Sequence, residues 1–502
     1  MLFNSISFLV FFPIVAALYF ASVHYVRNNC VSQCILLVAS LVFYMSWNPA
    51  YLLLILLSVG ITWASGLLMD GRPRKRKQAI LLMSLASNLA ILFVFKYYNF
   101  FAESMSWLCN GLLLPFHLPR MDLLLPVGIS FYTFQALGYS IDVYRGQVKA
   151  ERNLLTYALF VTFFPQLVAG PIERTAHLLP QFKTDHVFEY DRVVDGLILA
   201  AWGMFKKVVI ADRLAVYVDA VYGNLNGYCG IAVVLATFFF AFQILCDFSG
   251  YSDIAIGVAR ILGFNLMTNF RSPYFSRSIA EFWRRWHISL STWFRDYFYI
   301  ALGGNRVGTG RHYANLFLTF LASGIWHGAA WTFVIWGALH GCMLIAEVAS
   351  KNIWKNHGWY FSEKNTSMMK GCFQTLFTFG AVCVTWLFFR ASSFSDALVA
   401  LKHLVATPHE TFQILHLLSA GMSPWTGRFH ILPPTLALQD IWLGMGLVGI
   451  LSCVDFLQYR QRGTIRLRTL PGAVRWSLYY LLIMGILLLG MFGDSEFIYF
   501  QF

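Results

Sequence analysis

Two histidines have the surroundings that acid–base chemistry needs. His327 lies in Ser323-Gly324-Ile325-Trp326-His327-Gly328-Ala329-Ala330-Trp331, inside an apolar run whose small residues let another backbone or a substrate approach closely. A neutral imidazole there can take a proton from a hydroxyl and return it to a leaving group near neutral pH. The same placement also suits a core histidine hydrogen-bonded to a neighbouring helix. His287 lies in Phe282-Trp283-Arg284-Arg285-Trp286-His287-Ile288-Ser289-Leu290-Ser291. The three-four spacing of Phe282, Trp283, Trp286, Leu290, Trp293, Phe294 and Tyr297 predicts an amphipathic helix with His287 on its aromatic side. A helix anchored at the headgroup boundary by Trp and Arg is the plainer account of that pattern. Neither histidine has His-x-x-x-His or carboxylate–His spacing around it, so a metal is not expected. Asp247, Asp253 and Glu173 lie near the ends of apolar runs, where single carboxylates serve more often as ion-pair or cap partners than as catalysts. Gly303-Gly304-Asn305-Arg306 reads as a turn and not as a phosphate loop.

The composition says what must hold these groups. The chain has 502 residues, 37 Lys and Arg against 24 Asp and Glu (net +13), 58% hydrophobic residues and 12% charged ones. An ordinary soluble protein carries about 25% charged residues. At a mean hydropathy of +0.60 there are too few charges to clothe a soluble surface. A soluble enzyme, a disordered tail and a disulfide scaffold are thereby excluded. A polytopic membrane protein remains, all-α, with about 11 to 13 spans. Nine cysteines without a Cys-x-x-Cys pair read as packed thiols. The basic residues cluster between apolar runs instead of forming a stripe, so nucleic acid is not an expected partner.

Apolar runs near residues 5–25, 31–47 and 51–69 precede the basic cluster Arg72-Pro73-Arg74-Lys75-Arg76-Lys77. The positive-inside rule puts that cluster and Arg27 in the cytoplasm, and the Trp47-Asn48-Pro49-Ala50 turn and the N-terminus outside. The first run has no basic n-region or cleavage site and is expected to be a retained span. Further runs fall near 79–95, 100–115, 123–140, 154–169, 193–217, 231–246, 315–333, 334–348, 372–389, 441–456 and 476–491. Arg460, Arg462, Arg466, Arg468 and Arg475 mark another cytoplasmic loop, which leaves the tail from Glu496 to Phe502 outside. Residues 247–311 are too charged for a span and too aromatic for a free loop. They are expected to form interfacial or re-entrant helices lining a funnel, since irregular backbone at membrane depth needs a protein-lined cavity. Residues 403–434 read as a polar loop without an assigned role. The whole chain, 1–502, reads as one membrane-embedded domain, with 247–311 as its motif region and 312–340 as the segment carrying His327.

Four blocks in order now carry a resemblance: Asp247-Phe248-Ser249-Gly250-Tyr251-Ser252-Asp253; Phe282 through Tyr297; Leu302-Gly303-Gly304-Asn305-Arg306; and Gly324-Ile325-Trp326-His327-Gly328. Together they resemble the membrane-bound O-acyltransferase family. Leu125-Pro126-Val127-Gly128-Ile129-Ser130-Phe131-Tyr132, Gly170-Pro171-Ile172-Glu173-Arg174 and the closing Phe497-Ile498-Tyr499-Phe500-Gln501-Phe502 are similar to its bacterial alginate O-acetyltransferase branch. The resemblance implies transfer of an acyl group from a cytoplasmic thioester, acetyl-CoA, across the cell inner membrane toward an exported polysaccharide. No cofactor would be bound. It implies His327 as the catalytic histidine and His287 as the second signature position. Trp326, Arg285, Trp286, Arg295, Asp296 and Asn305 would serve the substrate channel, with Arg285 near the donor entry and Arg295 and Asn305 as candidates for oxyanion stabilisation. An external relay or transferase protein is the implied partner, with membrane lipid around the chain. Rival readings are D-alanyl transfer to an envelope polymer, a transporter with a histidine–carboxylate proton relay, and a scaffold for an external acetyltransferase. The absence of an inverted repeat speaks against the transporter.

Overall fold

In hydrocarbon an apolar chain can satisfy its backbone within one segment only as an α-helix. In the computed structural model, which describes residues 1–114, 118–356, 368–419, 431, 433, 436–461, 467–493 and 497–498, every regular element is helical. The longer helices are α1 (Ile6–Ala21), α2 (Asn29–Met45), α3 (Tyr51–Met69), α4 (Arg74–Gly111, with a π turn at Phe93–Tyr97), α5 (Ile129–Arg145), α6 (Leu154–Thr162), α7 (Tyr190–Met204), α8 (Asp212–Tyr222) and α9 (Gly230–Leu262). The short α10 (Ile279–Arg285) and α11 (Ile288–Trp293) follow, then α12 (Thr309–His327), α13 (Trp331–Asn356), α14 (Met368–Arg390), α15 (Phe394–Ser419), α16 (Leu438–Gln461) and α17 (Gly472–Leu489).

Among the described residues, eight helices are long and apolar enough to cross a membrane. That is fewer than the number of apolar runs, for local reasons. The runs near 79–95 and 100–115 join in the single 38-residue α4. The run near 154–169 breaks at Phe163, whose backbone leaves the helical region (φ −53°, ψ +113°), and a new helical turn starts at Phe164 with Pro165 in its first positions, where a missing N–H costs nothing. The run near 193–217 is divided by a π turn at Phe205–Ala211.

Asp247 to Asp253, the start of the stretch expected to form interfacial or re-entrant helices, continue α9, which runs on to Leu262 and is followed by Gly263 (φ +101°). Two expectations are corrected. Residues 403–419 are helical and not loop, since α15 runs through Pro408; the remainder of that expected loop lies outside the described residues apart from Ile431 and Pro433. The boundary between the runs near 315–333 and 334–348 falls earlier, at residues 328–330 between α12 and α13. Arg462, Arg466, Glu496 and residues 499–502 also lie outside the described residues.

The chain packs as two compact units, one of residues 1–204 with 251–268, the other of 205–250 with 269–498. In the first, Ser65 and Ser84 each lie 3.3 Å from the hydroxyl of Ser140, and the Tyr157 hydroxyl lies 2.6 Å from that of Thr62. Such polar contacts between helices replace the hydrophobic drive that lipid removes. In the second unit α12 and α13 form a hairpin whose closeness depends on two glycines. A Cβ on Gly324 would come within 2.4 Å of the Phe333 carbonyl oxygen, and one on Gly337 within 2.4 Å of the Phe320 carbonyl oxygen. Gly337→Val is therefore expected to destabilise the protein by about 3 kcal/mol, read as a lower thermal midpoint of the purified full chain. Gly446→Ala, where the new methyl meets nothing within 4 Å, should change stability by about 1 kcal/mol or less.

Candidate functional site

The α12–α13 hairpin delivers His327. It is the last residue of α12, 3% exposed, and is followed by Gly328 in extended conformation. Any side chain at Gly328 would collide with the Phe333 ring, 2.2 Å from a built Cβ. His287 comes from a different feature. The expected amphipathic helix is broken there, with α10 ending before Trp286 and α11 starting after His287, whose backbone is left-handed (φ +43°, ψ +54°). A non-glycine residue in that region is held by its surroundings. Asn269 does the holding: its carbonyl accepts the Ile288 N–H at 2.9 Å and its Oδ1 accepts the Ser289 N–H at 3.2 Å. The Arg271 N–H, donating to the Arg285 carbonyl at 3.0 Å, ties down the preceding turn.

The histidine ring centroids lie 6.3 Å apart, with the ring planes inclined at 61°. The Trp326 ring lies 5.9 Å from His287 and 5.0 Å from His327. Phe248 closes on His287 at 4.6 Å, and Trp336 and Phe389 close on His327 at 4.9 and 5.5 Å. His287 lies outside the spans and is fully buried, and loss of hydration pushes its pKa down to about 3. It is thus a neutral imidazole at physiological pH. An aromatic compartment of this kind excludes bulk water and holds two groups able to handle a proton.

The structure brings together His287, His327 and Trp326 of the residues singled out in the sequence. Trp286 is fully buried against Trp386 and Phe270, each at 5.1 Å. Arg285 is engaged by Glu281 (2.9 Å) and the Arg271 carbonyl (3.1 Å) and lies over the Tyr459 ring. Arg295 is exposed and pairs with Asp296 at 2.7 Å, and Asn305 is exposed in the turn at Gly303-Gly304. Glu173 and Asp247 are partners of basic groups, His177 and Lys207. Glu173 bonds His177 Nδ1 at 2.7 Å, which raises the His177 pKa, while burial raises that of Glu173.

Two residues escape sequence reasoning. Asn269 stands in an unremarkable polar stretch and carries no signal. His340, within the apolar run of α13, could have been found by the rule that picks out His327. Thr385 gives its hydroxyl proton to the Val382 carbonyl (2.7 Å), so it accepts from His340 Nε2–H at 3.0 Å. His340 Nδ1 in turn accepts from the Trp283 indole at 3.2 Å. The Trp336 ring stands 4.9 Å from both His340 and His327.

The helical spans define a multi-pass membrane protein that holds a buried pair of imidazoles. Residues 147–389, which include both histidines, match the model of MBOAT, the membrane-bound O-acyltransferase family, and the chain belongs to that family and is an acyltransferase. It is 44% identical over 401 residues to the probable alginate O-acetylase AlgI of Pseudomonas putida, covering 78% of each chain. It is 36% identical over 433 residues to the peptidoglycan O-acetyltransferase of Helicobacter pylori, covering 81% of this chain and 80% of that one. The teichoic acid D-alanyltransferase of Bacillus subtilis matches at 27% over 289 residues, 55% of this chain and 72% of its own. This is a membrane O-acetyltransferase by kinship.

Asn269→Ala, which strips the acceptor from Ser289, is expected to slow acyl transfer about 10-fold to 100-fold at equal membrane level by shifting His287. His340→Ala leaves the Trp283 indole without its acceptor and opens a cavity. It should cost about 3 kcal/mol in thermal unfolding of the purified chain.

Proposed function

We propose that this chain moves an acetyl group from a cytoplasmic thioester, acetyl-CoA, across the cell inner membrane for O-acetylation of an exported polysaccharide. The observation that carries this reading is the buried His287–His327 pair, 6.3 Å apart, in a chain whose O-acetylase relatives align over about four fifths of its length. D-alanyl transfer has weaker support, from relatives that align over about half of it.

A thioester is already activated, so the protein must position it, keep water out and supply a base. His327 removes the proton from an acceptor hydroxyl, and the oxygen attacks the thioester carbonyl. The carbon–sulfur bond breaks, and the departing thiolate takes the proton from the His327 imidazolium. Trp326 walls the channel beside both histidines. The acceptor on the outer side is an exported glycan or an external relay protein that passes the group on. Lipid surrounds the spans, no cofactor is bound, and nucleic acid has no part.

The test compares acetyl content of the exported polysaccharide in cells expressing wild type or His327→Ala at equal membrane level. We expect transfer to fall about 100-fold or more. Unchanged acetylation would overturn the mechanism and favour a scaffold. Labelled acetyl-CoA and a D-alanyl carrier, offered separately to purified protein, decide the donor.

A further inference from the structure

The proposed reaction leaves unused a buried group of charges on the second unit. Lys207, in the π turn at Phe205–Ala211, is 1% exposed and lies 2.6 Å from Asp247 Oδ1 and 2.8 Å from Asp212 Oδ1. Both carboxylates are buried. Well-packed apolar residues often fill such a place without loss of stability, so buried charge of this kind invites another reason. The other oxygen of Asp247 supplies one. Oδ2 accepts the backbone N–H of Ile498 at 2.8 Å, a bond strengthened by the charge on the acceptor. The Lys207 ammonium lies 4.5 Å from the centre of the Phe497 ring, within cation–π range. Phe497 and Ile498 are 1% and 6% exposed, although the stretch that leads to them is rich in polar residues (Gly493-Asp494-Ser495-Glu496). Just after α17, the Met491 N–H donates to the Val208 carbonyl at 2.8 Å, one residue from Lys207. On α9, the residue after Asp247 is Phe248, whose ring closes on His287.

We propose that Asp247 is a positioning residue that, with Lys207, anchors the segment following α17 against α9 beside the wall of the histidine compartment. Lys207 holds Asp247 in place through Oδ1, and Asp247 then holds the Ile498 amide through Oδ2 while the ammonium holds Phe497. The functional part of this inference rests on the acyl-transfer reading given above; the anchoring part does not.

Amide hydrogen exchange of the purified full chain reads the anchor directly. In wild type the Ile498 amide should be protected by this bond, and an unprotected wild-type amide overturns the anchor. In Asp247→Ala it should exchange about 10-fold faster or more, while the amides of α12 keep their protection. Asp247→Asn, which preserves volume and a weaker acceptor, should fall between and serves if the alanine variant does not accumulate. Unchanged protection of Ile498 in either variant overturns the proposal. Acyl transfer supplies the second arm. Asp247→Asn and Phe497→Ala should each lower the rate about 10-fold, and the double variant no further than the worse single one, because residues acting as one unit are not additive. An additive loss of about 100-fold in the double variant overturns a shared role. Should wild type transfer no acetyl group, the reading of function fails, and the exchange arm still decides the anchor.

Discussion

Wherever a helix is interrupted inside a protein, the amides released must find acceptors, and in a dry interior each failure costs about 1–3 kcal/mol. At the break between α10 and α11 the amides of Ile288 and Ser289 both turn to Asn269. The left-handed conformation of His287 persists because these bonds, the packed Phe248 ring and the burial of the imidazole over-determine it. Without that clamp, the three-four pattern from Phe282 to Tyr297 would favour one continuous helix and a different direction for His287. The meeting of the histidines thus begins with a backbone detail.

The other half of the meeting depends on smallness. Gly324 and Gly337 let α12 and α13 close until backbone touches backbone, and the hairpin carries His327 into the same aromatic compartment. Trp336 then stands between His327 and His340, at 4.9 Å from each. His340 is held in one tautomer by Trp283 and Thr385, so the indole wall behind His327 is braced by hydrogen bonds that lie a ring further out.

Much of this was legible from residue types alone. The excess of apolar residues and the shortage of charge foretell a helical membrane protein, and Trp326-His327-Gly328 stands out because an ionisable group among small residues in an apolar run is rare. Periodicity recognised that the stretch around His287 is helical and aromatic, yet spacing holds no information about a residue with positive φ, so the break went unseen. Asn269 was hidden for a related reason: it acts mainly through bonds to residues some twenty positions away, and such pairing leaves no local pattern. Arg285 shows another limit: its motif suggests a place at the channel but says nothing of its partners, which are Glu281 one turn earlier, the Arg271 carbonyl and the Tyr459 ring.

His327 closes α12 instead of sitting midway along it. The last carbonyls of a helix lack intrahelical donors, and their aligned dipoles give that end a partial negative charge. In the proposed reaction the proton is taken up at this end of the helix, whose dipoles are fixed in place before any substrate binds. Preorganised dipoles do not have to rotate as charge develops, which makes them more effective than water at the same task. In the reaction proposed here, the end of a helix becomes a silent participant, favouring the imidazolium for the brief interval between taking the proton and giving it back.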